Sequence, residues 1–291
     1  MTEHRPIPMP SLLERAVAGL GLGAGPVPAF APVADTPVFP PVTNEQAAPP
    51  RPFQGERHPI DRERLRSAGF VVPGDPVSAL LEELRLVKRQ LVLAADGEKG
   101  KRILIASAHP GEGKTWIAVN LALAIAAEKD NEVLLVDADF AKPSVLSTLG
   151  LPGGPGLMDA LADPAVAIED CVIGTDVPGL FVLPAGQTTI SDTEWLASAR
   201  TAQVLERLSA QSPNRLIVFD SPPVLAASPA AELALHVGQT LVVVRAEHTG
   251  EAALKDALSL LSGCADLKLL LNCAQFSPTG RSFGAYYGYG G

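Results

Sequence analysis

Arg102–Ala106 is a short, mostly apolar run. It leads without a break into Ser107-Ala108-His109-Pro110-Gly111-Glu112-Gly113-Lys114-Thr115, and a helical pattern then continues to about Ala127. No other stretch restricts the fold as strongly, because a strand, a glycine-rich turn and a helix in immediate succession define one βα unit. Glycines let backbone N–H groups turn inward around an anion, and the helix N-terminus adds partial positive charge. Lys114 is then placed to reach outer phosphates, and the Thr115 hydroxyl to meet a divalent cation. Pro110, Gly111, Glu112, Gly113, Lys114 and Thr115 are the candidate phosphate-binding residues. The strict pattern starts with glycine where this chain has Ala108. A glycine-rich turn that holds no nucleotide is the alternative reading.

Further apolar runs follow at Glu132–Val136, Leu180–Leu183, Arg215–Phe219, Thr240–Val244 and Leu267–Leu271. Helical periods lie between them, one of them from about Thr193 to Ala210, and Val77–Leu93 reads as a helix ahead of the first strand. Short apolar strands separated by helices predict a parallel sheet covered on both faces. The expected fold class is therefore α/β, with a doubly wound, mostly parallel sheet. Ligands in such sheets bind at the carboxyl ends of the strands.

The strand ends carry acids. Asp137-Ala138-Asp139 closes one strand, and two carboxylates two residues apart point the same way if the strand continues. Asp220-Ser221-Pro222-Pro223 closes another after four apolar residues, an arrangement that offers a carboxylate to Mg²⁺ directly or through water. One aspartate then remains to act as a base toward an attacking hydroxyl. A lone strand-end aspartate is more commonly a helix cap or turn residue. Together with the loop, the acids make a metal–nucleotide site, with Lys114, Asp137, Asp139 and Asp220 as catalytic candidates and Thr115 and Asp220 as candidate metal ligands.

Thirteen of the 27 prolines fall in the first 60 residues, which favours extended linker over packed core. The domain reading is a mostly disordered arm over 1–58, a folded domain over 59–275 with a helix at 77–93, and a flexible tail over 276–291. Within the arm, Ser11-Leu12-Leu13-Glu14 fits a capping box, and a short amphipathic helix is expected near 11–22; it is either a docking helix or a transient one. The first residues do not read as a secretory signal. Ala16–Ala34 is uncharged but broken by glycine and proline, so no membrane span is expected there. The 23 basic and 32 acidic residues give a net charge of −9, which argues against a nucleic-acid partner. Cys171, Cys264 and Cys273 have no paired spacing, which argues against a disulfide scaffold and fits a reducing cytosol.

All three tyrosines of the chain are Tyr286, Tyr287 and Tyr289. Among glycines, they form either an arm able to reach a neighbouring active site or an aromatic segment docking elsewhere.

The loop Pro110–Thr115, the segments Leu135–Asp139 and Phe219–Pro223 and the tyrosine tail together resemble the bacterial tyrosine kinases of exopolysaccharide and capsule synthesis. Within that family the chain looks most like the exosortase-associated (PEP-CTERM locus) tyrosine autokinase. The resemblance covers roughly residues 59–291 and implies the P-loop NTPase type of sheet. It implies ATP and Mg²⁺, and autophosphorylation in trans on Tyr286, Tyr287 and Tyr289. By position, Asp137 resembles the residue that accepts the tyrosine proton, and Asp139 and Asp220 resemble the metal-organising pair. Asn272 sits where related proteins contact the base. Glu82, Arg85 and Lys88 match an oligomer-interface helix, with lysine in place of a final arginine. The implied partners are further copies of the chain, arranged in a ring, and an activating membrane-embedded protein of the chain-length-determinant (co-polymerase) type. The implied location is cytoplasmic, peripheral to the inner membrane through that partner. The chain departs from the family in having Ala141 where a basic residue is usual, with Lys142 next. His109 stands where partition and septum-site ATPases carry an extra lysine. An ATPase switch of that kind is the alternative function.

Overall fold

The computed structural model describes Phe53 and residues 56–274, apart from 190 and 211. These belong to one compact unit, Gln46–Gly291. The expected helix near 11–22, most of the proline-rich arm and the tyrosine tail lie outside the described residues.

Eight strands form one sheet: β1 Arg57–His58, β2 Arg102–Ser107, β3 Glu132–Asp137, β4 Ile173–Thr175, β5 Leu180–Leu183, β6 Arg215–Asp220, β7 Gln239–Arg245 and β8 Asp266–Asn272. Their order is β1-β4-β5-β3-β6-β2-β7-β8. Every pair is parallel except β4 with β5. The doubly wound, mostly parallel sheet expected from the apolar runs is thus present. The loop-bearing β2 lies between β6 and β7, at the centre of the site.

Alternation along the strands builds two cores. Leu104, Ala106, Leu134, Val136, Ile217, Phe219 and Val242 enter the core on one face. Ile103, Ile105, Val133, Leu135, Leu216, Val218, Leu241 and Val243 enter the other. Successive side chains point to opposite faces, so a strand buried on both sides reads as unbroken apolar sequence. The helix Lys114–Ala126 packs on the second face through Ile117, Leu121 and Ile125. It is buried nearly all round, because the helix Ala79–Leu93 covers its outer side. That covering helix starts at Ser78, whose hydroxyl accepts from Leu81 N–H at 3.2 Å. It buries Leu84, Lys88 and Leu91, spaced on one face.

Three local features differ from the sequence expectation. The helix expected over Thr193–Ala210 is two helices, Asp192–Leu196 and Ala199–Ala210. At the break, the Ser198 and Thr201 hydroxyls both donate to the Trp195 carbonyl, at 2.6 and 2.8 Å. Such side-chain bonds compete with the helical ladder. The strands β1 and β4 have two and three residues, too few to carry a period. Arg57–His58 pairs with Gly174–Thr175, so ordered sheet is present at the end of the span read as arm. Beside it, the Arg215 guanidinium lies 4.0 Å from the centre of the Phe53 ring, which meets Phe181 edge-on.

Among the described residues, no helix is long and apolar enough to cross a membrane.

Candidate nucleotide site

The site lies at the carboxyl ends of β2, β3, β6, β7 and β8. The loop between β2 and the helix Lys114–Ala126 makes its turn with Gly111 at φ 77° and Gly113 at φ 102°, backbone that side-chain-bearing residues rarely adopt. Gly113 is doubly constrained, since a Cβ there would lie 2.3 Å from Asn272 Nδ2. Lys114 and Thr115 open the helix and so stand at its positive end.

The carboxylates are brought together by register. Asp137 ends β3 and Asp220 ends β6, and the two are paired directly across neighbouring strands. Asp220 is fully buried. Its Oδ2 accepts from the Thr115 hydroxyl at 2.6 Å, while its Oδ1 has no hydrogen-bond partner. Burial pushes its pKa up to about 7; the Thr115 bond and Lys114 pull it down, and the Asp137 and Asp139 charges push it up. Asp137 is also buried. Its Oδ2 accepts from Ser144 N–H at 2.8 Å and Val145 N–H at 2.9 Å, and its Oδ1 from Asp139 N–H at 3.3 Å. Burial raises it to about 6 against those bonds. Asp139 is half-buried and raised, again chiefly by burial. Burial lowers the Lys114 pKa, while Asp220, Asp139 and Glu112 act to raise it.

A buried carboxylate oxygen with no donor is costly, and a cation would satisfy it. The residues present therefore fit a divalent ion at Asp220 Oδ1 with Thr115 beside it. Among the described residues, no three His, Cys, Asp or Glu side chains gather into a metal cluster. The remaining ligands would come from phosphate and water, as Mg²⁺ prefers. Asp137 also borders a cleft of about 230 Å³, which Pro143, Leu146, Gly153, Gly154 and Pro184 help to line.

Asn272, Glu82, Arg85 and Lys88 make contacts of their own within the chain. Asn272 faces the outside of the loop, where its Nδ2 donates to the Glu112 carbonyl at 2.9 Å. Glu82 and Arg85 pair with each other along the helix, whereas Lys88 is buried in an ion pair with Glu128. Sequence reasoning missed Arg245 and Thr249. Arg245 Nη1 donates to the Gly111 carbonyl at 3.1 Å, and the Thr249 hydroxyl donates to Glu112. A lone threonine in a loop carries no motif that would have revealed it.

The family model described as AAA domain matches residues 100–267. The tyrosine-protein kinase wzc of Salmonella typhimurium is 28% identical over 78% of this chain and 31% of its own length. The tyrosine-protein kinase YwqD of Bacillus subtilis is 29% identical over 74% of this chain and 89% of its own. The solved BceF tyrosine kinase domain is 27% identical, with a TM-score of 0.60, over 73% of this chain and 90% of that one. The chain spans only 24% to 31% of the length of the first curated relatives it matches. With a loop, an acid pair and a sheet of this order, and a family model spanning more than half its length, the chain belongs to the AAA domain family, and its relatives there include bacterial tyrosine-protein kinases.

Proposed function

We propose that the protein is an ATP-dependent tyrosine autokinase of exopolysaccharide or capsule synthesis, acting in trans on Tyr286, Tyr287 and Tyr289. The observation that carries this reading is the buried acid pair Asp137–Asp220 beside Lys114 and Thr115. The names of the relatives and the clustering of every tyrosine in the tail support tyrosine as the acceptor.

Phosphoryl transfer asks mainly for positioning and charge stabilisation. The loop N–H groups and Lys114 hold the phosphates of ATP, and Asn272 steadies the loop. Thr115, Asp139 and Asp220 would hold Mg²⁺. Bound there, Mg²⁺ would supply positive charge against the phosphate oxygens. Asp137, with a pKa of about 6, is mostly ionised at neutral pH and accepts the phenolic proton as the tyrosine oxygen bonds to phosphorus and ADP leaves. Asp137 also lines the cleft of about 230 Å³ beside Pro143 and Pro184.

The interface reading of Glu82 and Arg85 in a homo-oligomer, the membrane-embedded activator, the cytoplasmic face of the inner membrane and the exosortase-associated branch are part of this proposal and rest on the sequence resemblance. The arm–domain–tail division over 1–58, 59–275 and 276–291 rests on composition. The ATPase-switch alternative is less well supported, because the named kinases are the better matches and His109 replaces the extra lysine.

The test is incubation of the purified protein with Mg·ATP, followed by mass spectrometry of the tail peptide beside a Lys114→Met control. Phosphate on Tyr286, Tyr287 or Tyr289, absent from the control, is the expected result. Released inorganic phosphate with unmodified tyrosines would move the assignment to the ATPase switch.

A further inference from the structure

Glu112 sits between the two positive-φ glycines of the phosphate loop, yet it is fully buried. A buried carboxylate next to an anion site repels the anion, so its presence calls for a compensating role. Its Oε2 accepts from His109 N–H at 2.8 Å, joining the two limbs of the loop. Its Oε1 accepts from the Thr249 hydroxyl, which lies on the turn after β7. Two further bonds reach the same loop from outside: Arg245 Nη1 to the Gly111 carbonyl, and Asn272 Nδ2 to the Glu112 carbonyl. Arg245 ends β7 and Asn272 ends β8.

The bracing group is itself tied together. The Thr249 hydroxyl accepts from Arg245 N–H at 2.9 Å, and Thr249 N–H donates to the Arg245 carbonyl at 3.0 Å. Ala246 N–H donates to the Asn272 carbonyl at 2.9 Å. Glu247 takes a left-handed φ of 60° within this turn, which turns the chain back toward the loop. These contacts leave the inner side of the loop to the phosphates and fix its outer side.

We propose that Thr249, with Arg245 and Asn272, forms a brace that holds the phosphate loop in its binding shape through Glu112, making Thr249 and Arg245 positioning residues for nucleotide binding. This rests on the reading of the loop as a nucleotide-phosphate site. Preorganised N–H groups bind an anion without first having to be ordered. Loss of the brace therefore shows in nucleotide affinity before it shows in global stability.

The experiment compares full-length wild type with Thr249→Val, Thr249→Ser and Arg245→Ala. Affinity for Mg·ADP is measured by calorimetry, and hydrogen exchange of residues 109–113 is followed without nucleotide. Thr249→Val keeps the shape and removes the hydroxyl. It is expected to bind about tenfold more weakly, the effect of losing one hydrogen bond to a charged group. Exchange at 109–113 should quicken by more than the accompanying fall in melting temperature accounts for, a fall expected because the buried Glu112 carboxylate loses a donor. Thr249→Ser should restore both readouts, and Arg245→Ala should weaken binding in the same direction. Wild-type affinity and exchange in Thr249→Val, or failure of serine to restore them, overturns the brace. If wild type binds no Mg·ADP, the nucleotide reading falls. The exchange comparison still judges the brace, which fails if residues 109–113 exchange alike in wild type and Thr249→Val.

Discussion

Asp220 is held in the fold at a cost. Its carboxyl is buried, its pKa is raised to about 7, and one oxygen has no partner. A carboxyl whose folded pKa lies above its unfolded value contributes stability that is present below the unfolded pKa and is lost as pH rises through the folded one. For Asp137 and Asp220 that window runs from about pH 4 to about pH 6 and pH 7. The nucleotide-free protein should accordingly carry at pH 8 a penalty that is absent at pH 4. Asp220→Asn should remove most of it, stabilising the empty protein by roughly 1–3 kcal/mol at pH 8, while abolishing Mg²⁺-dependent nucleotide binding. Thermal melts with and without Mg·ADP check both halves; an unchanged or lowered melting temperature for the empty variant would contradict the account. The pH profile of phosphorylation supplies a second check. The rate should fall on the acid side where Asp137 protonates, at a pH below the value of about 6 that burial gives the metal-free carboxyl, because bound Mg²⁺ would favour its ionised form; a rate that does not fall down to about pH 4 would remove Asp137 from the role of base.

At the scale of elements, the loop and its flanking helix meet at Gly113. Gly113→Ala forces a Cβ into positive-φ backbone and against Asn272. Strain of about 1–2 kcal/mol is expected from the backbone alone, and the double variant with Asn272→Ala should recover only the part due to the clash. Nucleotide affinity of the single and double variants separates the two contributions. The covering helix Ala79–Leu93 divides its charges between two tasks. Lys88 is buried against Glu128 and belongs to the fold, whereas Arg85 is exposed beside Glu82. Lys88→Ala should therefore lower the melting temperature, and Arg85→Ala should leave it unchanged while weakening self-association. Light scattering alongside thermal melts distinguishes these effects, and a reversed pattern would assign the roles the other way. The elements most readable in the sequence are β2, β3, β6 and β7, because strands buried on both faces read as short, β-branched apolar runs bounded by turns. The Asp192–Leu196 and Ala199–Ala210 helices were read as one because the break arises from hydroxyls of Ser198 and Thr201, residues also common on continuous helices. The loop residues and acids of the site were readable because their spacing is chemical. Arg245 and Thr249 were not, because their part depends on two strand ends meeting in space.

Across the whole molecule, the folded unit begins close to the boundary at 59 read from composition and takes in Arg57–His58 just before it. Ile60 and Leu65 are buried, Asp61 N–H donates to the Leu149 carbonyl at 2.8 Å, and Arg57–His58 extends the sheet. Asp176 ties the same segment down through Ile60 N–H and the Arg62 guanidinium. A chain starting at Phe53 should melt as the full chain does. One starting at Asp61 should lose about 1–3 kcal/mol, through the lost burial of Ile60 and the uncovered edge. Equal melting of the two truncations would show that β1 contributes nothing to stability. The sheet order has a consequence of another kind. Asp137 and Asp220 close adjacent parallel strands in register, so the separation of their backbones is inherited from the spacing of about 4.8 Å between strands, while the turn Asp139–Val145 orients the Asp137 carboxylate. The connections beyond Val145 can therefore lengthen, shorten or acquire new surfaces while the two charges keep their places. A chain of this architecture can change what it recognises at its rim without rebuilding the chemistry beneath.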